Sequence, residues 1–130
     1  MKQLLLDSHA LLWYENETHL LSGSVRKALR GPSTEIFVSS VSVYELGLKV
    51  AKQQLPHAQR MFDDLPLHVK IYGFKMLPFN ERHALRAAKL DWQHRDPFDR
   101  MLAAQAIEES LILVTKDAVF KSLRELKSLW

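Results

Sequence analysis

The sequence predicts an α/β sandwich, in which helices pack on a mainly parallel sheet. Short apolar runs at residues 3–6, 35–39 and 111–115 have the length and composition of buried strands. Longer segments between them carry apolar residues at the 3.6-residue period of amphipathic helices. Strands that alternate with helices in this way favour a parallel sheet covered by helices.

In the first half of the chain, two strands and three helices are expected. They are a strand at residues 3–6, helices at 8–15 and 22–29, a strand at 35–39 and a helix at 41–54. Gly31 and Pro32 end the second helix, because glycine favours the C-terminal cap and proline cannot continue a helix. In the third helix, Val43, Leu46 and Val50 repeat with the helical period.

In the second half, the pattern continues with short helices and strands. Helices are predicted at residues 57–64, 67–72, 81–90, 97–110 and 118–123, and strands at 74–77, 111–115 and 126–130, the last at an edge of the sheet. Pro66 separates the first two of these helices, and Asn80 is the expected N-cap of the next. Pro97 suits the first turn of the longest one.

Length and composition limit the classes of protein to which this chain can belong. A chain of 130 residues, numbered 1–130, is most naturally one domain. It has no cysteine, which excludes disulfides and thiolate metal sites and favours a reducing compartment such as the cytoplasm. No apolar run has the length of a signal-peptide core or a membrane span, so no membrane association is expected. The pI near 9.3 allows an anionic partner.

Five acidic side chains follow strands or open helices of the predicted fold. Because parallel strands end at the same edge of a sheet, and ligands bind there, we expect these acids to lie near one another. Several carboxylates crowd together only if a cation joins them or some of them take up protons. Oxygen ligands without cysteine favour Mg²⁺ or Mn²⁺ over Zn²⁺, so the pattern predicts a hard-metal site. The five acids are Asp7, Glu45, Asp96, Asp99 and Asp117.

The paired aspartates also have a purely structural explanation. Asp96 stands directly before Pro97, which is a standard N-cap and first helical residue. Asp99 then lies in the first turn, where an acid is stabilised by the helix dipole. For this pair alone, a helix start and a metal site explain the sequence equally well.

The other three acids have weaker structural alternatives. Asp7 and Asp117 are each placed to cap the helix that follows, although Ser8 competes with Asp7 for that position. Glu45 has Lys49 four residues later, and such a pair is worth about 0.3–0.5 kcal/mol. Independent capping does not require acids to recur along one sheet edge, which is why a shared site is favoured.

Basic residues accompany the acids. They offset the repulsion that carboxylates exert on a polyanion and can hold phosphates, with ordinary charge balance as the alternative. For His9 and His94, the histidines nearest the acids, local hydrogen bonds are expected rather than catalysis. The cations are Lys49 and Lys52 after Glu45, Arg95 and Arg100 around the paired aspartates, and Lys116 before Asp117.

Four segments resemble the PIN domain family, and within it the VapC-type toxin ribonucleases of type II toxin–antitoxin systems. The third segment is the most specific, because it contains Asp-Pro-Phe-Asp-Arg followed by the Asp-x-x-x-Ala-Ala pattern that starts at Asp99. Together the segments extend the resemblance over essentially the whole chain. They are residues 4–8, 40–46, 94–106 and 113–117.

The resemblance implies a three-layer α/β/α sandwich and an endoribonuclease that depends on Mg²⁺ or Mn²⁺. It also implies RNA as substrate, a small antitoxin that covers the acidic groove, and a homodimer. The alternatives are a PIN-like RNA- or protein-binding module with little turnover, and a DNA-directed or structure-specific nuclease.

The resemblance also assigns site residues by position. Asp7, Glu45, Asp99 and Asp117 match the acidic quartet of the family, with Asp7 and Asp99 as direct metal ligands. Glu45 would bind the metal or orient the attacking water, and Asp117 would complete the site. Asp96 is an additional acid that shares the metal or only caps the helix. Ser8 and Thr115 are supporting hydroxyls, and Lys49, Arg95, Arg100 and Lys116 are the phosphate-binding candidates.

Overall fold

A computed structural model describes residues 2–130, and it contains a five-stranded sheet in which every strand pairs in parallel. The strand order is β3-β2-β1-β4-β5, so β1 occupies the centre. Its position explains why residues 4–6 are fully buried leucines, since both faces and both edges of this strand are covered. The strands are β1 Gln3–Leu6, β2 Glu35–Ser39, β3 Lys75–Leu77, β4 Ile112–Val114 and β5 Ser128–Leu129.

Helices cover both faces of the sheet. Within residues 2–130, the seven α-helices are α1 Ser8–Asn16, α2 Gly23–Leu29, α3 Ser40–Ala51, α4 Gln59–Asp63, α5 Leu65–Ile71, α6 Glu81–Lys89 and α7 Pro97–Glu108. Three short 3₁₀ helices, Thr18–Leu20, Pro56–Ala58 and Ala118–Ser122, join them. No helix of these residues combines the length and apolar character that crossing a membrane requires.

The central strand divides the apolar core into two clusters. Leu4 and Leu6 belong to the cluster that includes Leu46 of α3, whereas Leu5 belongs to the cluster that includes Leu102 of α7. This alternation follows from the period of two along a strand. The three-layer α/β/α arrangement predicted from the sequence is therefore confirmed.

Several element boundaries differ from the predictions, and local chemistry explains the differences. The helix predicted at 41–54 begins at Ser40 because Ser39 is its N-cap, with Ser39 Oγ accepting from the Val41 amide at 2.9 Å. The helix predicted at 67–72 begins at Leu65, since Pro66 fits a first turn rather than a helix end. The helix predicted at 118–123 is a single 3₁₀ segment.

Candidate active site

The carboxyl edge of the sheet brings three chain segments together. Leu6 of β1 lies opposite Val38 of β2 on one side and Val114 of β4 on the other. Asp7 follows Leu6 and therefore lies at the same edge of the sheet as the residues that follow Val38 and Val114. Its amide donates to the Val114 carbonyl at 3.1 Å, which extends the ladder by one residue and fixes where the side chain starts.

Asp7 is the most buried acid of this edge. Its side chain caps α1, because Oδ1 accepts from the Ala10 amide at 2.7 Å, so Asp7 rather than Ser8 holds the N-cap. Burial raises the pKa of Asp7 above its ordinary value, and the negative charge of Glu45 raises it further. Hydrogen bonds from Thr115 and Ala10 oppose that rise in pKa without cancelling it.

Glu45 lies on α3 and acts electrostatically on both Asp7 and Asp99. Ser8 Oγ donates to Glu45 Oε1 at 2.5 Å, so a neutral hydroxyl and not Lys49 is the hydrogen-bond partner of this carboxylate. The charge of Glu45 raises the pKa of both Asp7 and Asp99. Glu45 is therefore close enough to repel both aspartates, which makes it the centre of the acidic group.

The two aspartates at the start of α7 have different partners. Asp96 is exposed and caps the helix, with Oδ1 accepting from the Asp99 amide at 3.0 Å. Asp99 is half-buried, and its Oδ2 lies 2.7 Å from His94 Nε2. Burial raises the pKa of Asp99 above its ordinary value, and the charges of Asp96 and Glu45 add to the rise, while the His94 contact opposes it.

Asp117 stands apart from the other acids. Its side chain is exposed, and Oδ1 accepts from the Val119 amide at 3.0 Å at the start of the 3₁₀ helix. Its own amide donates to Thr115 Oγ1 at 3.1 Å. Asp117 is not among the charges that shift the pKa of Asp7 or Asp99. Thr115 thus links Asp117 to Asp7 while Asp117 remains at the rim.

Arg100 has a structural task that the sequence does not suggest. Its guanidinium donates to four backbone carbonyls instead of facing a phosphate. Nη1 donates to the carbonyls of Trp92 and His94 at 2.7 and 3.0 Å, and Nη2 donates to those of Ala87 and Leu90 at 3.1 and 2.8 Å. Arg100 is therefore removed from the phosphate-binding candidates, because both of its terminal nitrogens are engaged.

The remaining cations stay available at the surface. Lys116 is exposed, and its Nζ lies 5.9 Å from the centre of the Trp13 ring, which orders the side chain beside the acidic edge. Arg95 is exposed next to Asp96, and Lys49 is half-buried on α3. These three keep the role of phosphate-binding candidates.

The acidic group fits a hard metal ion in chemistry but does not form a closed cage. Among residues 2–130, no three histidine or acidic side chains lie close enough to enclose an ion. Instead, each carboxylate accepts a hydrogen bond from the protein. Mg²⁺ keeps several waters and needs only a few carboxylates, so an open oxygen-only set of this kind suits Mg²⁺ or Mn²⁺. The donors are Ala10 for Asp7, Ser8 for Glu45, His94 for Asp99 and Val119 for Asp117.

Sequence reasoning missed Gln105, which joins the helices that carry Glu45 and Asp99. Gln105 is fully buried on α7, and its Oε1 accepts from Ser39 Oγ, the N-cap of α3. Its Nε2 donates to the carbonyls of Leu77 and Pro78, both at 3.4 Å. A polar residue inside the apolar run of a helix was the only available indication.

The cap formed by Asp96 leads to a testable distinction. Asp96→Ser keeps a capping oxygen and is expected to retain stability and most of the activity. Asp96→Ala removes the cap and is expected to cost about 0.5–2 kcal/mol of unfolding free energy. Urea unfolding and a cleavage assay on both variants measure the two effects. Equal loss of cleavage in the two variants, with folding intact, would mean that Asp96 holds the metal.

The raised pKa values predict how stability without metal depends on pH. Asp7 and Asp99 bind their protons more tightly in the folded state, because their folded pKa values lie above the ordinary value of 3.8. Each acid therefore favours folding below its unfolded pKa, and this contribution is lost as pH rises through the folded pKa. In EDTA at neutral pH, Asp7→Asn and Asp99→Asn should melt at higher temperatures than the wild type.

The difference in melting temperature should shrink as pH falls towards 4. Asparagine caps a helix about as well as aspartate, so Asp7→Asn leaves the start of α1 intact. Saturating Mn²⁺ should stabilise the wild type, by about 2.7 kcal/mol at 100 times Kd, and should stabilise the two variants much less. Thermal melts at several pH values, with EDTA and with Mn²⁺, measure both the pH dependence and the stabilisation by Mn²⁺. A variant that keeps the full Mn²⁺ shift has not lost a metal ligand.

Comparison with known proteins places these observations in a family. The model of the PIN domain family matches residues 4–126. Ribonuclease VapC22 of Mycobacterium tuberculosis is 30% identical over 127 residues, which covers 95% of this chain and 94% of that protein.

Solved structures with the same fold come from toxin–antitoxin complexes. VapBC2 from Rickettsia felis, bound to a fragment of promoter DNA, matches with a TM-score of 0.74 and 18% identity, covering 98% of this chain and 97% of the other. The DNA-bound VapBC from Salmonella typhimurium matches with a TM-score of 0.70 and 17% identity, covering 99% and 98%. At these identities the structural likeness establishes the fold alone.

Proposed function

This chain belongs to the PIN domain family, on its VapC branch, and from that premise we propose that it is a metal-dependent endoribonuclease, the toxin of a toxin–antitoxin pair. The observation that carries the proposal is the group formed by Asp7, Glu45 and Asp99 at the carboxyl edge of the sheet. Burial and the charge of Glu45 raise the pKa of both Asp7 and Asp99, and the opposing contacts of His9 and His94 do not cancel that rise. We assign the activity to one nuclease domain acting in the reducing cytoplasm.

Asp7 and Asp99 are the residues that would hold Mg²⁺ or Mn²⁺ directly, and Glu45 would bind it directly or through water. Such an ion, when bound, polarises a phosphodiester and lowers the pKa of an attacking water. Asp117 would contribute from the rim. Asp96 has a weaker claim, because its Oδ1 is already engaged in capping α7.

The protein's own contribution is to hold these carboxylates in place. The Ala10 amide fixes Asp7, and the Ser8 hydroxyl engages Oε1 of Glu45. That contact leaves Glu45 Oε2 as the oxygen with which Glu45 would orient an attacking water. Prearranged groups of this kind lower the barrier because no reorganisation is needed at the moment of reaction.

Lys116, Arg95 and Lys49 would hold the RNA backbone. Lys116→Ala is expected to weaken RNA binding for all sequences and to reduce the slope of log K against log salt by about 0.7 to 0.9, since one phosphate contact is lost. Lys2→Ala is the matched control, because Lys2 is exposed before β1 at the opposite edge. Binding titrations at several salt concentrations measure both. An effect limited to one base position would indicate base recognition instead.

A protein partner is supported by apolar surface beside the acids. Tyr44 precedes Glu45 and is 62% exposed, and its ring centre lies 5.8 Å from that of Phe98, which precedes Asp99. An apolar groove of about 560 Å³ adjoins Tyr44 and is lined also by Leu48 and Met76 among other residues. Exposed apolar surface of this kind marks interaction sites.

We assign this surface to a small antitoxin that covers the groove and places a cation against the acids. We also propose that two copies of the chain form a homodimer. Expression of the chain alone should slow bacterial growth, and co-expression of the partner should restore it. A complex in which the partner leaves the acids uncovered would contradict the mode of inhibition. Sedimentation of the purified protein tests the homodimer, which a monomer at all concentrations would refute.

The test of the enzyme is turnover of labelled RNA by purified protein. Cleavage should require Mg²⁺ or Mn²⁺ and stop in EDTA. A parallel assay with single-stranded and duplex DNA separates a ribonuclease from a DNA-directed or structure-specific nuclease. Tight RNA binding without any cleavage would favour the alternative of a PIN-like binding module.

A further inference from the structure

His94 is in direct contact with one of the central acids but does not belong to the acidic quartet. It lies in the loop between α6 and α7, and its Nε2 is 2.7 Å from Asp99 Oδ2. When Asp99 is ionised, as a metal ligand must be, its carboxylate can only accept a hydrogen bond, and His94 Nε2 is then the donor. This contact occupies one oxygen of Asp99 and leaves Oδ1 for another ligand.

The backbone around His94 is held by the same helix that carries Asp99. Arg100 on α7 donates Nη1 to the carbonyls of Trp92 and His94 and Nη2 to those of Ala87 and Leu90. Charge-assisted hydrogen bonds are stronger than neutral ones, and here three of them hold the loop while the fourth holds Ala87 at the end of α6. The His94 backbone is thus fixed relative to Asp99.

The His94 ring is held from a second direction by Trp92. The two ring centres lie 4.9 Å apart. Trp92 in turn donates from Nε1 to Ser122 Oγ at 2.8 Å, and its ring packs 5.7 Å from that of Phe120. Ser122 and Phe120 belong to the 3₁₀ helix that Asp117 caps. His94 is therefore supported both by α7, which carries Asp99, and by the 3₁₀ helix that Asp117 caps.

We propose that His94 is a positioning residue of the metal site, which holds Asp99 in the orientation that a Mg²⁺ or Mn²⁺ ion requires. The inference rests on the proposed function and extends it to a residue outside the acidic quartet. Hydrogen bonds to a ligating carboxylate fix its rotation, and their loss typically weakens metal binding 10- to 100-fold. Arg100 and Trp92 act behind His94, because they order the loop from which it reaches Asp99.

Mn²⁺ affinity tests the proposal without any need for turnover. Free Mn²⁺ is measured by electron paramagnetic resonance in titrations of the full chain. His94→Phe keeps a ring against Trp92 but removes the donor, and we expect it to bind Mn²⁺ about 10- to 100-fold more weakly. His94→Gln places an amide donor near the position of Nε2 and should recover most of the affinity. His57→Phe is the matched control, since His57 is exposed in the 3₁₀ helix Pro56–Ala58.

The outcomes separate this inference from the proposed function. Wild-type affinity in His94→Phe, together with a loss in Asp99→Asn, would overturn the role of His94 and leave the metal site standing. Equal losses in His94→Phe and His94→Gln, with melting in EDTA unchanged, would also overturn it, because the donor would not matter. Mn²⁺ binding that is absent in the wild type, or unaffected by Asp99→Asn, would overturn the metal site and the inference together.

Discussion

Asp7→Asn and Asp99→Asn are each expected to lower the rate of RNA cleavage at least about 100-fold. A catalytic metal supplies several kcal/mol of transition-state stabilisation, and each 1.36 kcal/mol corresponds to a factor of ten. Both substitutions keep the size of the side chain and remove one charge that would bind the ion. Single-turnover cleavage of a labelled RNA in saturating Mn²⁺ measures the effect.

Asp64→Asn is the control for this experiment. Asp64 is exposed and makes no side-chain cap for α5, so the same change of charge should leave cleavage unaltered there. Undiminished cleavage by Asp7→Asn or Asp99→Asn, with contaminating nuclease excluded, would refute the assignment of the site. A loss that is restored by Mn²⁺ above the concentration that saturates the wild type would instead mean that the variant only weakens metal affinity.

Arg100→Lys is expected to destabilise the protein by about 3–5 kcal/mol, although it conserves the charge. Hydrogen bonds to charged groups each contribute about 1.5–3 kcal/mol, and acceptors left without partners add a penalty. Lysine carries one compact ammonium and cannot reach carbonyls spread over Ala87, Leu90, Trp92 and His94 as the guanidinium does. Urea unfolding measures the change in unfolding free energy.

Arg95→Lys provides the comparison, because Arg95 is exposed in the same loop. It should change the free energy of unfolding by less than about 0.5 kcal/mol. If Arg100 were a phosphate ligand, lysine would preserve much of its function and the protein would remain stable. Unchanged stability and RNA binding in Arg100→Lys, combined with weaker RNA binding in Arg100→Ala, would restore Arg100 to the phosphate-binding set.

The sequence alone determined the strands and the edge at which the acids lie. The strands at Gln3–Leu6 and Glu35–Ser39 have the bounds that were predicted, because a buried strand needs a short apolar run and nothing distant in the chain. The parallel arrangement followed from the alternation of strands and helices. That arrangement puts Asp7 at the carboxyl edge, because Asp7 directly follows the first strand.

Tertiary structure decided which partner each polar side chain has. Ser39 and Gln105 are 66 residues apart yet share a buried hydrogen bond, and their spacing in the sequence gives no hint of it. Glu108 pairs with Arg82 and Arg86, and Glu109 contacts the buried His83. The sequence does not distinguish these contacts, because two adjacent acids near a helix end look the same whether or not cations face them.

In the acidic site, too, the sequence determines some features and the tertiary structure determines the others. Residue type and the expected parallel strands predicted that all five acids lie near one another, since parallel strands end at the same edge of a sheet. The structure places Glu45 near Asp7 and Asp99, and leaves Asp117 at the rim. The tasks of His94 and Arg100 depend on distances within a loop and on the direction of single side chains. Local periodicity and composition carry no information about either, so only the folded structure assigned Arg100 to backbone carbonyls and brought His94 to Asp99.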